Sequence, residues 1–123
     1  MITHPTAAEL REALAAVETG PASDARATFI ARVADNARAT LEREAALGPA
    51  AEAAAVERLR TLLGEDGDFT VLNAELCTRL AKGRLAPLDP AVLAHLKACV
   101  VDQIAIDQPG YSGLAALEAP SSR

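Results

Sequence analysis

The sequence predicts an all-α fold, a compact bundle of about five helices joined by short loops, and three observations lead there. Half of the 123-residue chain is hydrophobic, yet only Phe29, Phe69 and Tyr111 are aromatic. Ala and Leu, the strongest helix formers, dominate that half, and β-branched residues are sparse. Apolar residues also recur at three- and four-residue spacing, and Gly and Pro punctuate the chain at helix-length intervals.

The first helix is expected over residues 5–18, with Leu10, Leu14 and Val17 inward and Pro5 suited to the first turn. Gly20-Pro21 ends it. Ser23 or Asp24 caps a second helix that reaches Leu47, with Gly48 as its left-handed stop. Pro49 opens a third helix to Leu63, closed by Gly64. Asp68 caps a fourth that ends near Lys82-Gly83, after the turn Glu65-Asp66-Gly67-Asp68. Asp89-Pro90 starts a fifth, which Pro109-Gly110 terminates. Residues 1–111 read as a single helical domain and 112–123 as a mobile C-terminal tail, in which Leu114 and Leu117 could form one docked turn.

Polar residues on apolar faces are the sequence's most pointed feature. In the fifth helix Val92, Leu93, Leu96, Val100 and Ile104 define one stripe, and Gln103 and Asp107 fall inside it. In the second, Phe29, Val33, Ala37, Leu41 and Leu47 form an arc that contains Glu44, with Arg32, Asn36 and Arg43 along one edge. A carboxylate in an apolar stripe needs a cation, and Asp107 also sits at a helix C-terminus, where the macrodipole disfavours it. The pattern therefore predicts a buried pair between Asp107 and Arg32 or Arg43, with Asn36 or Gln103 satisfying what remains. Glu44 and Asp107 could alternatively form a carboxylate pair for acid/base or metal chemistry. The structural reading is preferred, because nothing else at catalytic spacing accompanies them.

His95 lies near the edge of the fifth helix's buried face and has no second histidine nearby, so a half-buried structural role is expected. Cys77 and Cys99 fall in separate helices and are expected to be buried, reduced thiols. No nucleophile motif, metal-ligand spacing, phosphate-cradling glycine loop or dinucleotide fingerprint is present. No catalytic residue, metal or cofactor is therefore expected. A net charge of −5 with interspersed signs argues against nucleic acid or an anionic membrane as partner. No run is apolar enough to span a bilayer and the first residues lack a signal-peptide pattern, so a cytoplasmic protein is expected.

Two stretches resemble a bacterial family of uncharacterised small helical proteins. One is Phe29-Ile30-Ala31-Arg32-Val33-Ala34-Asp35-Asn36 with Leu41 and Arg43-Glu44; the other runs from Leu72-Asn73 and Leu76 through His95-Leu96 to Ala105-Ile106-Asp107-Gln108-Pro109 and Tyr111. Ile30 stands where the family often has His, and Gln108 where it has Asn, which weighs against a histidine-dependent site. The resemblance implies no established activity. It implies association with enzymes encoded nearby, aminoglycoside-phosphotransferase-like kinases and acyl-CoA dehydrogenases. The expected function is that of a non-catalytic accessory or interaction protein with such a partner, compatible with a homodimer through an Ala-rich helix face. The alternative is a helical domain that binds an acyl or hydroxyacyl small molecule.

Overall fold

The computed structural model describes residues 5–19 and 24–119, whose elements are α1 (Ala7–Thr19), α2 (Asp24–Leu63), α3 (Phe69–Ala81), α4 (Pro90–Asp107) and α5 (Leu114–Glu118). The fold is all-α with short connections, as the sequence predicts, and no strand occurs among the described residues. Gly20-Pro21 and the Ser23 cap lie outside the described residues, as does the Asp24 side chain.

The helix starts follow from local chemistry. Thr6 and Glu9 form a capping box: Thr6 N–H donates to Glu9 Oε2 at 2.6 Å, and Glu9 N–H donates to Thr6 Oγ1 at 3.2 Å. The Thr6 amide holds the Glu9 carboxyl below the usual carboxylate range. Asp68 accepts from the Val71 amide at 2.9 Å to start α3, and Asp89 accepts from the Ala91 amide at 2.8 Å ahead of Pro90 to start α4. The ends of α2 and α3 pass through Gly64 and Gly83 at φ +69° and +67°, a left-handed turn that glycine takes without penalty.

One boundary differs from expectation. The predicted second and third helices are a single 40-residue helix with Pro49 inside it. Gly48 is not a left-handed stop, since Gly64 and Gly83 are the positive-φ glycines of the described chain. Two physical reasons account for this. A residue before proline is pushed out of the helical region partly by its Cβ, and Gly48 has none. Neighbouring helices also splint the junction: Arg43 on one side of it reaches Ile106 in α4, and Arg58 on the other reaches Asp102. Tertiary contact thereby overrides a local stop signal.

Those two contacts show that α4 runs antiparallel to α2. On another side of α2, Leu59 and Leu63 meet Leu72 and Leu76 of α3 in the main core, edged by Val56, Leu62, Phe69, Leu80 and Leu85. Full burial of each such leucine contributes about 1.5–3 kcal/mol. Arg79 ties the α2–α3 corner, donating from Nη1 to the Leu63 carbonyl at 2.9 Å and from Nε to Glu75 at 2.7 Å, and pairing with Glu65. α1 lies along the N-terminal half of α2, where Arg38 pairs with Glu18. The segment expected to be a tail contains α5, with Leu114 and Leu117 half-buried.

The face of α4 turned to α2 is not the stripe the sequence suggests. Val92, His95 and Ile106 are buried, whereas Leu93, Leu96 and Val100 are 45%, 43% and 48% exposed. The arc predicted on α2 is likewise open, with Phe29 and Val33 68% and 54% exposed. Phe29 and Val33 extend past the end of α4 and meet only α1, which leaves them half or more exposed.

Candidate functional site

The seam between α2 and α4 gathers the chain's polar chemistry. Val92, His95, Cys99, Asp102 and Ile106 alternate at spacings of three and four, a register that keeps all five on one side of α4. Arg58 of α2 reaches across to them. Its Nη2 lies 3.6 Å from Asp102 Oδ2 and 3.7 Å from Cys99 Sγ, and Cys99 Sγ is 3.6 Å from His95 Nε2. His95 is 3% exposed and its Nδ1 has no hydrogen-bond partner; Arg58 Nε is buried without one as well. Burial, and secondarily the Arg58 charge, push the His95 pKa below its ordinary value. The imidazole is therefore neutral near pH 7.

Beside the seam, Ala50, Ala51, Ala54, Ala94 and Ala98 floor an open groove of about 890 Å³ between α2, α4 and α5, with Arg58, Lys97, Asp102 and Glu118 at its edges. A smaller apolar notch lies between α1 and α2, walled by Leu10, Leu14, Phe29, Ile30 and Val33.

The residues singled out from sequence divide into separate groups. Arg43 is half-buried, but Asp107 is exposed and the expected buried pair between them does not form. Arg43 Nε instead donates to the Ile106 carbonyl at 2.6 Å, and its Nη2 donates to Thr40 Oγ1 at 3.1 Å. The last carbonyls of a helix are orphaned and carry the negative end of the dipole, so the guanidinium takes the backbone end rather than the carboxylate. Asp107 turns outward and accepts from Gln103 Nε2 at 2.6 Å. Arg32 and Asn36 are exposed on α2. Glu44 is half-buried, with its carboxyl carbon 3.2 Å from where a Gly48 Cβ would stand. His95 is more deeply buried than expected, at the centre of the packed face rather than its edge. Cys77 is exposed and Cys99 half-buried, both as free thiols.

Sequence reasoning missed Arg58, Asp102 and Arg79. The signal for Asp102 was available as the unbroken three-four register from Val92 to Ile106, which a search for apolar residues alone skips because three of its five members are polar or weakly polar.

Two outcomes follow. Arg43→Ala should cost about 1–2 kcal/mol by uncapping a part-buried carbonyl, while Asp107→Ala should stay within about 0.5 kcal/mol of the parent or stabilise slightly. Urea unfolding of both variants checks this ranking, and a severe loss for Asp107→Ala would refute it. The second concerns pH. Because the folded-state pKa of His95 is depressed, its contribution is whole above the unfolded value of about 6.5 and is lost as pH falls through the folded value. Stability should therefore decline on acidification from about pH 7.5 to 5.5, and His95→Gln should flatten that decline. An unchanged slope in the variant would mean a solvated imidazole.

Among the described residues no group of three or more His, Cys, Asp or Glu could hold a metal ion, and no helix is long and apolar enough to cross a membrane. The structure thus defines a small all-α protein with one polar seam and no resident-metal cage among the described residues. Over residues 21–111 the chain matches the family described as Domain of unknown function (DUF6285), and it belongs to that family. No curated protein and no solved structure matches it.

Proposed function

We propose that this chain is a non-catalytic accessory protein of the cytoplasm that docks onto a partner enzyme, a kinase-like phosphotransferase or an acyl-CoA dehydrogenase. The observation that carries the reading is the make-up of α4. Its sequence, PAVLAHLKACVVDQIAID, is apolar on nearly every side, and such a helix belongs in an interior. Only one side meets α2, and Leu93, Leu96 and Val100 stand 45%, 43% and 48% exposed in a row. Contiguous exposed apolar rows mark interaction surfaces. The association with those two enzyme classes comes from the family resemblance alone. Self-association through the same row is compatible with the reading.

The test is co-purification of the tagged chain with each candidate enzyme, co-expressed. Retention of one of them, abolished by Leu96→Glu with the helical circular dichroism unchanged, supports the reading. Retention of neither, or retention indifferent to Leu96→Glu, overturns it. The alternative, an acyl or hydroxyacyl binder, draws on the Ala-floored groove with Arg58 and Lys97 at its edge. Saturable calorimetric binding of an acyl-CoA, weakened by Lys97→Glu, would favour it over docking.

A further inference from the structure

Two nitrogen-bearing side chains converge on one sulfur in the α2–α4 seam. Arg58 Nη2 lies 3.7 Å from Cys99 Sγ and His95 Nε2 lies 3.6 Å from the same sulfur, while His95 Nδ1 and Arg58 Nε are buried without partners. Buried polar groups are almost always paired, and an orphaned one calls for an explanation beyond packing. Packing alone gives none, since an apolar residue at position 95 would fill the same place in the register without the desolvation cost.

We propose that Cys99 is a nucleophilic modification site, whose sulfur, once it has given up its proton, faces Arg58 and is oxidised by a peroxide. With the imidazole neutral and its proton on Nε2, both Nε2 and Nη2 donate toward Sγ, an arrangement that suits an anion. Arg58 brings a full positive charge to the sulfur, and Asp102, 3.6 Å from the same Nη2, draws part of that charge away. In the step itself a sulfur lone pair attacks one oxygen of hydrogen peroxide. The S–O bond forms, the O–O bond breaks, and the second oxygen leaves as hydroxide. The sulfur is oxidised by two electrons to the sulfenic acid and the peroxide is reduced. Half-burial leaves Cys99 open to a small oxidant while its neighbours stay fixed.

The chain carries its own reference. Cys77 on α3 is the more exposed thiol, so faster reaction at Cys99 cannot come from access. Trypsin places the two in separate peptides, residues 61–79 and 98–123. The experiment treats the full chain with hydrogen peroxide at neutral pH, traps sulfenic acid with dimedone, and follows each peptide by mass spectrometry. Labelling at Cys99 should run about tenfold faster than at Cys77. Arg58→Met should bring Cys99 down to the Cys77 rate or below it. Asp102→Asn, which frees Arg58 from its competing carboxylate, should raise Cys99 above its parent rate. Unfolding would make the two cysteines alike and so could not imitate that rise. Equal or slower labelling at Cys99 in the parent, or a Cys99 rate indifferent to both substitutions, overturns the proposal.

Discussion

Leu59→Ala is expected to destabilise the protein by about 2–5 kcal/mol, a large share of the roughly 5–15 kcal/mol that holds a domain of this size. Leu59 is 0% exposed and packs with Leu63, Leu72 and Leu76 where α2 meets α3. Truncation leaves a cavity walled by two rigid helices that cannot close over it, so transfer and cavity terms add. Urea unfolding should show a lower midpoint with an unchanged slope. Leu93→Ala on α4 provides the contrast: at 45% exposure its loss should cost under about 1 kcal/mol in the isolated chain. Similar costs for the two would contradict the assignment of the buried faces.

Pro49→Ala should act in the opposite direction and stabilise by about 2 kcal/mol. An interior proline removes one helical hydrogen bond, here the one the Ala45 carbonyl would receive, and its ring crowds that carbonyl, at about 3 kcal/mol relative to alanine. The added freedom of the unfolded alanine chain returns about 1 kcal/mol of that gain. The sign distinguishes two architectures. Were residue 49 the first of a new helix, proline would be favoured there and its removal neutral or harmful. A higher urea midpoint for Pro49→Ala supports the continuous α2; a lower one would restore two helices with a joint at Gly48.

The helix content, the caps at Asp68 and Asp89 and the stops at Gly64 and Gly83 were legible in the sequence, because each depends on contacts within a few residues. The continuity through Gly48-Pro49 was not, because the contacts that bridge it come from residues about 40 to 60 positions away in the chain. The burial of α4 failed for a different reason. A helix apolar on nearly every side gives no orientation from hydrophobicity, so Leu93, Leu96 and Val100 looked as inward as Val92. Its polar members decided the matter: Arg58 has partners at Cys99 and Asp102, and those fix which side faces α2. Arg43 was recognised as a seam residue, but its acceptor was read as the Asp107 carboxylate when it is the neighbouring Ile106 carbonyl. Side-chain patterns do not display backbone acceptors, so that error is inherent to reading side chains alone.

The 40-residue α2 is about 60 Å long at 1.5 Å per residue, and its burial is lopsided. Ala55, Leu59 and Leu63 are sealed in its C-terminal half, whereas Ala34 is the one buried residue of positions 26–40 and α1 has none. The helix is therefore anchored at one end like a cantilever. Its outer arm with α1 should therefore open as a unit of low local stability, its amides exchanging through fluctuations that leave the leucine cluster intact, which native-state hydrogen exchange checks. Insertions, fusions or binding events on that arm consequently act on a part of the molecule that can reshape without drawing on the free energy of the core.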